Sequence, residues 1–111
     1  IFAVFFTANT ASAATSVTTD KLAYTKGQNV VVKGNTNTYP PGSQLRVEVK
    51  IGDPWGGNSV TATHVNTDSK GNFTATIPTT KSWATSRDYV IVIYFGPTGQ
   101  LLNASNNFTV Q

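Results

Sequence analysis

Gln44-Leu-Arg-Val-Glu-Val-Lys-Ile51 decides the fold class of this chain. Leu45, Val47, Val49 and Ile51 fall on one side of an extended backbone, and Arg46, Glu48 and Lys50 on the other. A strict period of two in β-branched and long side chains predicts a strand with one face in a core and one in water. On that reading Glu48, between Arg46 and Lys50, belongs to a solvated strand face.

The same signal recurs on both sides. Residues 28–34 place Val30 and Val32 on one face. Residues 59–65 form another strand. Residues 72–77 put Phe73, Ala75 and Ile77 on one face, after the hairpin turn Asp68-Ser-Lys-Gly71. Residues 88–95 are apolar on both faces, which predicts a central strand. Residues 15–19 make a short strand that kinks at Asp20-Lys21 before residues 22–24. Residues 106–110 close the domain. The connections carry turn residues: Thr25-Lys-Gly27, Tyr39-Pro-Pro-Gly42, Gly52-Asp-Pro-Trp and Gly96-Pro-Thr-Gly99. About seven short strands with turns every 8–12 residues or so predict an all-β, seven-stranded Ig-like antiparallel sandwich over residues 15–111.

Composition narrows the function classes. A chain of 111 residues has room for one domain. Charged residues make up 12%, about half of the usual ~25%, and Thr, Ser and Asn supply the polar surface instead. That balance suits an exposed extracellular protein. The net charge of +3 comes from cations scattered along the chain with no basic stripe, which argues against nucleic-acid binding. Cysteine is absent, so disulfides and thiol chemistry are excluded. No apolar run approaches the ~20 residues of a membrane-spanning helix.

A set of spaced residues carries a family likeness. It comprises Tyr24-x-x-Gly27, Val30-x-Val32-x-Gly34, Pro41-Gly42 before Leu45-x-Val47-x-Val49, Asp68-x-x-Gly71-x-Phe73, the run from Tyr89 to Ile93, and Asn107-Phe-Thr-Val110. This resembles the Ig-like or macroglobulin-like β-sandwich modules of archaeal and bacterial cell-surface proteins, over roughly residues 15–111. Turn glycines and core alternation are specific for fold and weak for function. With a hydrophobic N-terminal segment in front, the layout resembles subunits of extracellular filaments, in which an extended tail completes the sheet of a neighbouring copy.

That segment is Ile1-Phe-Ala-Val-Phe-Phe-Thr-Ala-Asn-Thr-Ala-Ser-Ala-Ala14. Four readings stand for it. Ala11-Ser12-Ala13 is the small-x-small pattern of a secretion-leader cleavage site. A helix packed in the core of a type IV-like pilin is a second reading, although such helices need a longer apolar run. A first strand of its own domain is a third. The fourth is a donor strand. Ile1, Ala3 and Phe5 would face one side and Phe2, Val4 and Phe6 the other, with residues 8–14 as a small-residue hinge. Burying Ile1, Phe2, Val4, Phe5 and Phe6 at about 1.5–3 kcal/mol each gives an upper bound of roughly 7–15 kcal/mol. The expectation is a structural subunit of an extracellular homopolymer, joined head to tail by insertion of this strand. A type IV-like pilin is an alternative. A monomeric adhesion or carbohydrate-binding module is another, with Tyr39, Trp55 and Trp83 as its aromatic contacts and surface glycans as its partners.

Catalytic chemistry has little to stand on. His64 is the lone histidine, with no nucleophile or carboxylate beside it in sequence. Asp20, Asp53 and Asp68 sit at turns, where aspartate caps backbone amides. No metal site and no cofactor is implied. An intramolecular isopeptide bond would have Lys33 and Glu48 as its first candidates. Asn-x-Ser/Thr occurs at Asn72, Asn103 and Asn107, which are candidate N-glycosylation sites in a secreted chain. Asn72 beside a turn and Asn103 in a loop are expected to be better placed than Asn107.

Overall fold

The computed structural model describes residues 15–36, 39–80, 83–85 and 87–111. Residues 1–14, and with them the donor-strand candidates Ile1, Phe2, Ala3, Val4, Phe5 and Phe6, lie outside the described residues.

The chain is all-β. Among the described residues nine strands follow in order: β1 Ser16–Thr19, β2 Ala23–Tyr24, β3 Asn29–Asn35, β4 Gln44–Ile51, β5 Asn58–Asn66, β6 Asn72–Pro78, β7 Asp88–Phe95, β8 Gln100–Ala104 and β9 Phe108–Val110. They build two sheets in a sandwich-like arrangement. One runs β1-β3-β6; the other runs β2-β9-β7-β4-β5, with β8 also on β7.

Nine strands replace the expected seven because the first and last are each broken. The chain leaves β3 at Asp20 and joins the other sheet as β2, so one strand serves both sheets. β8 and β9 share the same edge of β7 and are interrupted at residues 105–107. The sandwich is also not wholly antiparallel: β2 runs parallel to β9.

The β4 alternation lands as expected. Leu45, Val47 and Val49 are fully buried against Val30, Val32, Phe73, Ile77, Ile91 and Ile93. Burial of each contributes about 1.5–3 kcal/mol, which fixes the register. β7 lies between β4 on one side and β8 and β9 on the other, and its outward-facing Val90 and Val92 are buried as well as its core-facing residues. Gly34 in β3 is a packing requirement. A Cβ there would stand 2.0 Å from the Ser16 carbonyl oxygen and 2.5 Å from Phe73 Cζ.

An aromatic column closes one end of the core. Trp83 packs on Tyr89 at 5.2 Å between ring centres, Tyr89 on Phe108 at 5.7 Å, and Phe108 against the edge of Tyr24 at 5.5 Å. The Tyr24 hydroxyl donates to Asp20 Oδ1, and Asp20 Oδ1 also accepts the Val31 N–H at 3.2 Å. The strand switch is thus pinned at its corner. Burial, and then the Asp20 carboxylate, push the Tyr24 hydroxyl up to about 12.

Candidate functional site

The two lateral sides of the sandwich differ. On the first side the strand switch from β1 to β2 bridges the sheets. Two asparagines reinforce it. Asn103 on β8 donates to the Thr15 carbonyl. Asn106 accepts the Thr19 N–H at 3.3 Å and donates to the Thr19 hydroxyl at 2.9 Å. Backbone groups at both ends of β1 are therefore taken up across the gap between sheets.

The second side is open among the described residues. β5 ends one sheet and β6 ends the other, and among the described residues each has a strand neighbour on one flank only. β5 runs antiparallel to β4 from Asn58 to Asn66, with an irregularity where Val49 pairs Thr61 and Lys50 pairs Ser59. Its sequence, Asn-Ser-Val-Thr-Ala-Thr-His-Val-Asn, has no Lys, Arg, Asp, Glu or Pro. Edge strands are usually guarded by charge, proline or brevity. This one is the longest strand in the described structure and carries none of those guards.

The outer face of β4, β5 and β7 holds a polar cluster. Arg46 lies directly opposite His64 on one flank and Tyr94 on the other. With Glu48, Phe95, Gly96 and Gly99 they line a cavity of about 350 Å³. Glu48 departs from expectation. It is only 7% exposed, although it points away from the core. Arg46 Nη2 stands 2.7 Å and Lys50 Nζ 3.6 Å from its carboxylate. Burial alone would raise its pKa; the Ser59 hydroxyl, Arg46 and Lys50 outweigh that and hold the carboxyl below its ordinary range. His64 is exposed and faces Arg46 with no carboxylate opposite it across the strand pair. Lys33 projects from the outer face of the other sheet, so the Lys33–Glu48 isopeptide pairing is ruled out by topology.

The three aromatic candidates do not form one platform. Trp83 is 4% exposed and belongs to the core. Tyr39 lies flat on Phe95 at 4.2 Å, with its hydroxyl 3.2 Å from Gln100 Oε1. That places it at the Gln44 end of β4. Trp55 is 61% exposed in the loop after Ile51, at the opposite end of the same strand.

The sequons also sort differently from expectation. Asn103 lies in β8 rather than a loop, with its amide turned to Thr15. Asn72 accepts from Asn35 Nδ2 at 2.7 Å. Asn107 is exposed in the break between β8 and β9. The turn aspartates cap backbone amides as expected: Asp68 Oδ1 accepts from Lys70 and Asn72, and Asp53 Oδ1 from Trp55. Sequence reasoning missed Asn103 and Asn106 as ties, because their partners are 88 and 87 positions away.

Similarity to known proteins reaches only the broad architecture. No family model matches the chain, and no curated protein matches it. Among solved structures it is similar to Spo0M, a sporulation control protein from Bacillus subtilis, with 12% identity, a TM-score of 0.45, and coverage of 88% of this chain and 49% of that one. It is also similar to Bacteroides uniformis beta-glucuronidase 2 in a calcium-binding mutant, with 13% identity, a TM-score of 0.41, and coverage of 86% and 13% respectively. The chain thus spans about half of the first protein and a small part of the second. Among the described residues, no helix is long and apolar enough to cross a membrane.

Proposed function

We propose that this chain is a non-catalytic, Ig-like subunit of an extracellular homopolymer. Residues 1–6 act as the strand that joins one copy to the next. The observation that supports this reading most is an unguarded sheet edge: among the described residues β5 has a strand neighbour on one flank only, and it carries no Lys, Arg, Asp, Glu or Pro. The apolar, two-faced segment 1–6 is built of strand formers, as a strand added to such an edge would be. Addition to a sheet edge provides main-chain hydrogen bonds and buries apolar side chains at once. Full-length chain and a variant lacking residues 1–8 test it by electron microscopy and sedimentation. The shortened chain is expected to stay folded and monomeric while the full chain forms filaments. Filaments from both would overturn the proposal.

A second reading rests on a specific coincidence. Ala11-Ser12-Ala13, the small-x-small pattern of a leader cleavage site, follows the apolar run of residues 1–6. On this reading residues 1–13 are the end of a secretion leader, and the sandwich works without them as a surface module. The intact mass of the exported protein separates the two: loss of residues 1–13 selects the leader.

A further inference from the structure

We infer that the β5 edge is the acceptor for the N-terminal strand of a second copy; this rests on the polymer reading above. Three observations carry it. The first is the asymmetry of the sandwich. The β1 side is bridged by the strand switch and by Asn103 and Asn106, whereas the β5–β6 side presents two edges that have no strand neighbour among the described residues. The second is the edge itself. From Thr61 to Asn66 β5 is continuous, β-branched at every second position (Thr61, Thr63 and Val65) and free of Lys, Arg, Asp, Glu and Pro, so an apolar strand meets no acidic, lysine or arginine side chain and no proline along it.

The third is where the tail departs. Residues 1–14 leave the described structure at Thr15, which Asn103 holds on the β1 side. Each copy therefore gives its strand from one side and receives on the other. Residues 7–14, fully extended, span at most about 26–29 Å. That is well beyond the ~10 Å between packed sheets and sufficient to reach an adjoining copy. Donor and acceptor on opposite sides make a heterologous contact that does not close, so the assembly propagates. A strand laid against β5 turns alternate side chains into the gap beside β6. One set of Ile1, Ala3 and Phe5, or of Phe2, Val4 and Phe6, is then sheltered there.

The chain contains no cysteine, so introduced pairs report without background. Full-length protein, produced without passage through a secretion apparatus, carries Val4→Cys with Ala62→Cys on β5. The comparison variants carry Val4→Cys with Thr18→Cys on β1 or Thr74→Cys on β6. Mild oxidation of assembled material is expected to give a covalent ladder at least about tenfold stronger for Ala62 than for Thr18 or Thr74. A ladder centred on Thr18 or Thr74, or cross-linked monomers only, overturns the assignment while leaving polymerisation standing. A full chain that stays monomeric in sedimentation overturns both. Ala62→Lys, at an exposed position, gives a readout independent of cysteine. It is expected to cut the polymer fraction at least tenfold with an unchanged far-UV spectrum, and an unchanged polymer fraction overturns the assignment.

Discussion

The Asn106 side-chain amide bonds Thr19 twice, taking its backbone N–H and giving to its hydroxyl across the gap between the two sheets. The Thr19 hydroxyl proton is already committed to the Lys21 carbonyl at 2.7 Å, so the oxygen has only lone pairs to offer Asn106. The amide is therefore the one group of its size that satisfies both atoms. Asn106→Ala is expected to lower stability by about 1–3 kcal/mol, because a part-buried backbone N–H loses its partner. Asn106→Asp should be no rescue, since its carboxylate would face the hydroxyl lone pairs. Urea unfolding with an unchanged m-value checks both, and equal midpoints for wild type and Asn106→Ala would rule the tie out as a stabilising contact.

Gly34→Ala is expected to detach β1. The new methyl would meet the Ser16 carbonyl and the Phe73 ring, and the carbonyl belongs to backbone that cannot swing aside. Overpacking of this kind costs about 1–3 kcal/mol or more. Hydrogen exchange should show faster exchange in residues 16–19 than in β4 or β7. Uniform protection across all strands would contradict the expectation.

Acid should weaken the fold through Glu48. Its carboxyl titrates below the ordinary 4.5 in the folded chain, so its contribution is present above that value and lost as pH falls through the lower folded value. Asp20 and Asp68, also held low, act in the same direction: Asp20 through the Tyr24 hydroxyl, and Asp68 through the Lys70 and Asn72 amides. Glu48→Gln should flatten the decline in urea midpoint below about pH 4 without abolishing it. An identical pH profile in the variant would count against the ion pairs of Glu48 with Arg46 and Lys50.

Alkali should weaken it through Tyr24. The hydroxyl's value rises from 10.0 to about 12 on folding, so the folded state holds the proton more tightly. Its contribution is complete below pH ~10 and is lost as pH rises through the window to about 12. Tyr89, raised by burial, adds in the same direction. Tyr24→Phe is expected to be less stable at neutral pH by about 1–3 kcal/mol and to decline less steeply between pH 10 and 12. Thermal melts across that range give the comparison.

Much of the architecture is legible in the sequence because period-two burial is a local code. Residues 44–51 and 72–78 show it residue by residue. What the code sorts is faces, not covers. Glu48 falls on the outward face as expected, between Arg46 and Lys50 of its own strand; its cover is what escaped, because only strand register brings Ser59 of β5 and Val92 of β7 alongside. The two tryptophans make the same point. Both sit in connections between strands, but Trp83 meets Tyr89 and is swallowed by the core, whereas Trp55 stands exposed in its loop. The β8–β9 break and the asparagine ties escaped because they answer to β1, at the far end of the chain. The edge at β5 was equally hidden: an edge is defined by the strand that is not beside it, and no local pattern encodes that.

The parallel pairing of β2 with β9 has a mechanical consequence. Tension entering through residue 15 and leaving through residue 111 pulls these two strands in opposite directions along their length. The bonds from Thr109 N–H to Leu22, Gln111 N–H to Tyr24 and Lys26 N–H to Gln111 are then sheared together instead of being peeled singly. Forced unfolding follows the unfolding rate rather than the equilibrium stability. A chain anchored at both ends would thus resist load through three hydrogen bonds beside the Tyr24–Phe108 contact.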